Sequence, residues 1–207
     1  IRASINLLGP LLGKYGHVDI AMPGGDDFGS RPIDLHVAGL EAMGAIFDLT
    51  RDGVKATATH LHGAQITLKF PSVGATENIL MAAVLADGVT VIDNAAREPE
   101  IGDLCNMLNE MGANIAGVGT AKLTITGVAP SALHAVTHEV IHDRVQAATY
   151  IAAVAVTGGD VFVRGARAEH MEMLLNRYAE MGVSITPQSD GLRVVATDRL
   201  RSIDFAT

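Results

Sequence analysis

The sequence has few of the residues that metal sites, disulfide scaffolds and nucleic-acid interfaces require. Its 207 residues include one cysteine, no tryptophan and 4% aromatic residues. A single thiol excludes a disulfide framework and a cysteine-rich metal site. Acidic residues outnumber Lys and Arg by 23 to 15, for a net charge of −8, whereas binding to nucleic acid requires a basic face. We therefore expect no metal, no cofactor and no nucleic-acid partner.

Long apolar runs and an N-terminal signal peptide are also missing. The apolar stretches are far shorter than the roughly 20 residues that span a bilayer, so we expect no membrane partner and a cytoplasmic location. Hydrophobic residues make up 48% of the chain, which supplies a globular core for one or two domains. The sequence begins with Ile and not Met, and we interpret it as an internal fragment.

One pattern occurs three times along the chain. Met-Gly pairs begin at positions 43, 111 and 181. Each pair ends a segment with helical spacing of apolar residues, and two short strand-like segments follow it. A further helix and strand precede each pair, with the helices expected at residues 3–12, 75–85 and 144–156. Residues 65–70 and 135–141 are expected to form an additional strand in the second and third copies.

The repeat therefore reads β-α-β-α-β-β over about 70 residues, longer than the 20–50 residues of solenoid units. Such units bury helices against sheets. The pattern predicts a mixed α/β (α+β) fold.

The segment 23–36 interrupts the repeat with glycine, proline and two adjacent acids. Arg31 directly precedes Pro32, which can occupy the first turn of a helix. An arginine at a helix N-terminus can hold a phosphate or carboxylate. An ordinary polar loop with a solvated arginine is the alternative.

The segments 71–78 and 93–100 are the other two exceptions. Ser72 is a good N-cap candidate beside small residues, a geometry suited to a diphosphate, although a plain capped helix has the same pattern. Arg97 lies among carboxylates and is expected to join a structural ion-pair network, with a functional role as the alternative. Cys105 lies on an apolar helix face and is expected to be a packing residue.

Four segments together resemble a known family. They occur in order at residues 2–10, 23–36, 72–78 and 94–101. Over essentially the whole chain they are similar to the UDP-N-acetylglucosamine 1-carboxyvinyltransferases, a family of enolpyruvyl transferases. The resemblance implies an inside-out α/β barrel architecture with two domains, each built from three β-α-β-α-β-β units. Residues 1–141 then correspond to most of one domain, and 142–207 to the first unit of the second.

The resemblance also implies an activity and its site. Family members transfer enolpyruvyl from phosphoenolpyruvate to the 3-hydroxyl of UDP-N-acetylglucosamine, the first committed step of peptidoglycan synthesis, and so serve cell-wall formation, cell shape and division. Arg2 and Arg31 are expected to supply positive charge, with Arg31 facing phosphoenolpyruvate. The remaining substrate-binding residues are expected to hold the uridine (Pro32, Ile33, Asp34 and Leu35) and to line the diphosphate (Ser72, Val73 and Gly74).

Asp26 departs from the usual family pattern, which has Cys at this position. We expect Asp26 to be the proton donor and to leave the enzyme insensitive to fosfomycin, which reacts with the Cys thiolate. The N-terminal Lys-Asn pair, a distal catalytic Asp and C-terminal Arg residues of the family have no match here, so the fragment alone is expected to be inactive.

Two other functions stay open at this point. One is the shikimate-pathway enolpyruvyl transferase, whose small acceptor needs no uridine pocket. The other is a noncatalytic binding protein built on the same scaffold, which would require neither Arg2 nor Arg31.

Overall fold

The computed structural model describes residues 2–25, 32–197 and 199–204. The chain divides into two compact units, Ile1–Glu139 and Val140–Thr207. Each unit has its own core of buried apolar side chains. Asp26 and Arg31 lie outside the described residues.

Unit 1 contains four α-helices and seven strands in its described part. After a 3₁₀ helix (Arg2–Leu7), they are α1 (Leu8–Tyr15), β1 (His17–Ala21), α2 (Asp34–Ala42), β2 (Ile46–Leu49), β3 (Gly53–Thr57), β4 (Gln65–Thr67), α3 (Val73–Ala83), β5 (Val89–Asp93), α4 (Pro99–Glu110), β6 (Asn114–Ala116) and β7 (Lys122–Thr126). A short 3₁₀ helix, Pro130–Ala132, follows.

Unit 2 contains one further copy of the same order. Its elements are α5 (Arg144–Thr157), β8 (Gly159–Arg164), a 3₁₀ helix (Ala168–His170), α6 (Glu172–Met181), β9 (Ser184–Gln188) and β10 (Gly191–Ala196).

The three sheets share one topology, as the repeat predicts. Their strand orders are β1-β3-β2, β4-β5-β7-β6 and β8-β10-β9. In each, the last strand of the copy lies between its two predecessors and is antiparallel to both. Among the described residues, only the second sheet has an additional strand, β4, which pairs with β5 in parallel. Parallel neighbours need a crossover connection, and here it is helix α3.

The three Met-Gly pairs end their helices in the same way. Gly44, Gly112 and Gly182 have φ of +97°, +108° and +101°, a region that favours glycine because it carries no Cβ. The residue after each glycine donates its N–H to the carbonyl five positions earlier, the Schellman arrangement. The sequence signal and the structural repeat therefore have one cause.

The core of unit 1 is built around α3. This helix packs against α1 and α2, and most of its residues are buried. Gly9 allows α1 to approach closely: a Cβ built on Gly9 would lie 2.0 Å from the carbonyl oxygen of Asn78. One turn further on, a Cβ on Gly13 would lie 3.5 Å from the Ala82 carbonyl oxygen, an ordinary contact distance.

The strand expected at residues 135–141 is wrong, because this segment forms no ladder in the structure. Helix α4 holds it instead. The N–H of His134 donates to the carbonyl of Met111, and the ring of His138 lies 3.0 Å from Asp103 Oδ1 and 3.1 Å from Glu110 Oε2. The alternation of apolar residues in this segment cannot reveal that its partner is a helix with two carboxylates.

We expect Gly9→Ala to destabilise unit 1 by about 1–3 kcal/mol, since the added methyl group meets rigid backbone in a packed interior. Gly13→Ala is the matched control on the same helix and against the same partner. It should be neutral or stabilise by up to about 1 kcal/mol, as alanine in place of a helical glycine does. Hydrogen exchange at the buried amides of α3 measures both. Equal effects of the two substitutions would contradict the close approach at Gly9.

The ring of His138 should make the stability of the protein depend on pH. Both ring nitrogens of His138 face carboxylates, and only the imidazolium can donate to both. Hydrogen bonds to Glu110 and Asp103 raise the pKa of His138, so its stabilising contribution is full below pH of about 6.5 and is lost as pH rises through the higher folded pKa.

The stability difference between the wild type and His138→Asn should thus be larger at pH 5.5 than at pH 9, as urea unfolding can measure. His17→Asn is the control, because the His17 ring contacts a backbone carbonyl. A difference for His138→Asn that is the same at both pH values would show that the ring is not held as a cation.

Candidate functional site

Residues predicted from separate motifs meet at the start of α2 and α3. The Arg2 guanidinium donates a hydrogen bond to the Pro32 carbonyl over 3.4 Å. The ring of His36 lies against Gly74, because a Cβ built on Gly74 would be 3.0 Å from His36 Cε1. The first 3₁₀ helix, the N-terminus of α2 and the N-terminus of α3 therefore border one region of unit 1.

The N-terminus of α3 has free backbone donors. Ser72 is its N-cap, as predicted, and its Oγ accepts a hydrogen bond from the Ala75 N–H at 3.3 Å. Within the described part of the chain, the N–H groups of Val73 and Gly74 have no intrahelical acceptor, as is general in a first turn. Ser72, Val73 and Gly74 are half-buried. This end of the helix is therefore accessible and can bind an anion.

Thr76 fixes this turn in place. Its Oγ1 donates to the Ser72 carbonyl at 2.7 Å and accepts from the Ala96 N–H at 3.1 Å. Thr76 is fully buried. The loop that carries Ala96 is thus tied to the first turn of α3, so the segments 72–78 and 94–101, which are separate in sequence, meet in the fold.

At the N-terminus of α2, two residues are exposed to solvent and two pack against the core. Pro32 and Asp34 are exposed, whereas Ile33 and Leu35 are half-buried and pack against the core. Asp34 lies in the first helical turn, where the partial positive charge of the helix end stabilises a carboxylate. Side chains at Pro32 and Asp34 can therefore contact a ligand directly.

Sequence reasoning missed the side chains that link these segments. Asn78 lies in the segment 72–78, but its type and position predict no role for it. It is fully buried, and His36 is 5% exposed. Asn78 Nδ2 lies 2.8 Å from His36 Nδ1. Burial, and then the charge of Arg2, lowers the pKa of His36 to about 4, while Asp34 acts in the opposite direction. A signal was available, since Asn78 interrupts the apolar stripe of α3, and a polar residue in such a stripe requires a buried partner.

Glu77 lies beside this network. It accepts a hydrogen bond from Asn6 Nδ2. Burial raises the pKa of Glu77, the hydrogen bond from Asn6 opposes this shift, and the nearby Glu100 adds to it.

Two further sequence interpretations have clear outcomes. Cys105 is fully buried, and burial raises the pKa of its thiol to about 11, so its role as a packing residue is confirmed. The ion-pair network expected around Arg97 is wrong for the described residues. Arg97 is exposed there, and its backbone N–H, not its guanidinium, bonds to Glu98 Oε2 at 2.9 Å. The short spacing between Arg97 and Glu98 favours this local contact.

The described residues contain no group of three or more His, Cys, Asp or Glu side chains that could hold a metal ion. No helix among them is long and apolar enough to cross a membrane.

Comparison with known proteins identifies the family. Residues 1–207 match the EPSP synthase (3-phosphoshikimate 1-carboxyvinyltransferase) family, and the chain belongs to this family. Within it, the chain is 53% identical over 206 residues to a protein named UDP-N-acetylglucosamine 1-carboxyvinyltransferase from Nocardia farcinica. This match covers 100% of the chain and 48% of that relative.

Solved structures confirm the fold. The enolpyruvyl transferase NikO from Streptomyces tendae superposes with a TM-score of 0.82 at 22% identity, over 99% of this chain and 50% of that one. EPSP synthase from Acinetobacter baumannii superposes with a TM-score of 0.62 at 24% identity, over 94% and 45% of the two chains. The mixed helix and sheet fold of the enolpyruvyl transferases, predicted from the repeat and the motifs, is thus confirmed. The chain spans about half the length of these relatives.

Proposed function

We propose that this chain is part of a UDP-N-acetylglucosamine 1-carboxyvinyltransferase, which transfers enolpyruvyl from phosphoenolpyruvate to the 3-hydroxyl of UDP-N-acetylglucosamine and releases phosphate. The observation that carries the proposal is the 53% identity to the Nocardia farcinica relative over the whole chain. The reaction belongs to peptidoglycan synthesis in the cytoplasm, and through it to cell-wall formation, cell shape and division.

The arrangement at the start of α2 and α3 supports binding of a nucleoside diphosphate. The N–H groups of Val73 and Gly74, beside Ser72, suit the diphosphate oxygens. Pro32 and Asp34 are exposed next to them, where the uridine would lie with Ile33 and Leu35. Arg2 contacts Pro32 and adds positive charge at the same place.

The chemistry needs an acid and cations. The 3-hydroxyl attacks C2 of phosphoenolpyruvate while C3 gains a proton, and the hydroxyl proton goes to a base. The tetrahedral intermediate then loses phosphate together with a proton from C3, which restores the double bond. In this proposal Asp26 supplies the proton to C3. An ordinary Asp has a pKa of about 3.9, so burial or the charge of the adjacent Asp27 must raise it. Arg31, with Arg2, neutralises the phosphate and carboxylate of the donor.

In this proposal the chain supplies part of a two-domain enzyme. We place residues 1–141 in one domain and residues 142–207 in the second. Since the relatives are about twice as long, we expect turnover only in a complete enzyme that contains these residues.

The alternative function is the 3-phosphoshikimate reaction of the same family. An assay of such a complete enzyme with each acceptor in turn decides between the two reactions.

In that enzyme, Arg31→Ala should lower kcat/KM by at least about 100-fold, as the loss of a group that stabilises charge in the transition state does. Its Tm should stay nearly unchanged, because the role of Arg31 is electrostatic. Arg51→Ala is the control, since Arg51 is an exposed arginine in the turn between β2 and β3. Normal turnover of the Arg31 variant would rule out the assignment.

Asp26 generates a prediction on inhibition. A carboxylate is a much poorer soft nucleophile than a thiolate, so the enzyme should resist fosfomycin and show no covalent adduct by mass spectrometry. Asp26→Cys should retain activity and become inactivated with time, and Asp26→Asn should lose most turnover because an amide is not a usable acid. Asp27→Asn, one residue away, should have a milder effect. An adduct on Asp26, or full activity of Asp26→Asn, would place the acid elsewhere.

A further inference from the structure

The side-chain amide of Asn78 has a fixed orientation. Its Oδ1 accepts a hydrogen bond from the Gly9 N–H at 2.7 Å, and its Nδ2 donates to the Ile5 carbonyl at 3.0 Å. A backbone N–H can only donate and a backbone carbonyl can only accept. Rotating the amide by 180° would break both bonds at a site without solvent, so the positions of its oxygen and nitrogen are determined by chemistry.

This orientation determines the protonation of His36. Asn78 Nδ2 lies 2.8 Å from His36 Nδ1, closer than its other contacts, which are the Gly74 carbonyl at 3.4 Å and Asn6 Oδ1 at 3.5 Å. A second N–H donor at 2.8 Å would be repelled by the amide hydrogens, so Nδ1 must carry a lone pair and accept. The ring is then neutral and its proton lies on Nε2. An imidazolium, or the other neutral tautomer, would place two N–H donors against each other in the core.

The Nε2 atom of His36 lies beside the proposed diphosphate subsite. The Nε2 atom would lie 3.4 Å from a Cβ built on Gly74, which places it beside the first turn of α3. Among the described residues, no oxygen accepts a hydrogen bond from it. The other tautomer would present a lone pair there, and a lone pair repels a phosphate oxygen.

The charged groups that act on the ring come from two elements. Arg2 approaches from the first 3₁₀ helix and Asp34 from α2, and on α3 the carboxylate of Glu77 is bound to Asn6. Arg2 disfavours a cationic ring and Asp34 favours one. Burial has the largest effect and also disfavours the cation, and so does the hydrogen bond from Asn78. Asp34 alone acts in the other direction, so the neutral form is retained at neutral pH.

We propose that Asn78 is a positioning residue for the nucleoside diphosphate subsite. It holds the first 3₁₀ helix, α1 and α2 in register on α3, and it keeps His36 as a neutral Nε2–H donor directed at the subsite. This inference rests on the proposed function for its ligand, but not for its account of the His36 ring.

The ring is tested first, without ligand and without any substitution. In the 207-residue chain with ¹⁵N-labelled histidine, long-range ¹H–¹⁵N correlation spectra distinguish the two neutral tautomers and the cation. We expect His36 to be the Nε2–H tautomer at pH 7 and to stay neutral down to pH 5. Protonated Nδ1, in either the neutral or the cationic form, overturns the proposal whatever the chain binds.

The consequence for binding is tested with Asn78→Asp. A carboxylate has nearly the same shape but cannot donate to Nδ1, and it favours the imidazolium. We expect affinity for UDP-N-acetylglucosamine, measured by calorimetry at pH 8, to fall by about 10-fold, as loss of an aligned donor to a charged group does. Part of the loss should be recovered at pH 6, where the variant's His36 is protonated and Nε2 again donates. The wild type should show no such pH dependence.

Asn109→Asp is the matched control. Asn109 also bridges backbone groups with its amide, donating to the Ile115 carbonyl at 3.0 Å and accepting from the Ile115 N–H at 2.9 Å, but it lies on α4 and away from the subsite. It should leave affinity within about twofold. A pH-independent loss in Asn78→Asp, or an equal loss in Asn109→Asp, would reduce Asn78 to a structural residue and overturn the proposal.

A variant that does not fold and a wrongly assigned ligand can be told apart. If Asn78→Asp does not fold, Asn78→Ser replaces it, since Ser keeps a polar group that is too short to reach both Gly9 and His36. Unchanged affinity of Asn78→Ser contradicts the proposal. The proposed function can also fail by itself. If neither the 207-residue chain binds UDP-N-acetylglucosamine nor a complete enzyme uses it, the proposed function is wrong. The account of the His36 ring then still stands, provided that the spectra show the expected tautomer.

Discussion

The close approach of α1 and α3 at Gly9 is the constraint on which the candidate site depends. Only a residue without a side chain fits there, because a Cβ on Gly9 would lie 2.0 Å from the Asn78 carbonyl oxygen. This approach brings the Gly9 N–H within 2.7 Å of Asn78 Oδ1, and so fixes the amide that holds Ile5 and His36. The register of the first 3₁₀ helix on α3 and the tautomer of His36 both depend on this one helix-to-helix distance.

The repeat explains why a site forms in unit 1. All three copies use the same sheet order and the same glycine-ended helix, so the scaffold itself is uniform. The copies differ in the connections before their helices. Chemistry is therefore expected where the connections differ, and the polar residues Ser72, Thr76, His36 and Asn78 lie at or beside these connections in unit 1.

Much of the fold could be predicted from the sequence because its signals are local. The Met-Gly pairs at 43, 111 and 181 mark helix ends that require positive φ, and that requirement does not depend on distant residues. The segment 135–141 shows the opposite case. Its alternation resembles a strand, yet His138 binds two carboxylates on α4, and no local pattern reveals which element a segment will meet.

The candidate site could be predicted only where the residues that form it are close in sequence. Ser72 could be identified as a cap because the cap and its helix are adjacent in sequence. The contact between Asn78 and His36 could not be found this way, since 42 positions separate the two residues and only the packing of α2 on α3 brings them together. Arg97 illustrates the converse, because nearby carboxylates in sequence do not guarantee an ion pair with its guanidinium.

The most direct test of the central claim is a map of amide chemical shifts in the 207-residue chain as UDP-N-acetylglucosamine is added. The claim is that the first turns of α2 and α3 form one subsite for the nucleoside diphosphate. It predicts the largest changes at residues 72–76 and 33–37, with small changes in unit 2. Changes confined to residues 140–204, or none at saturating ligand, would contradict it.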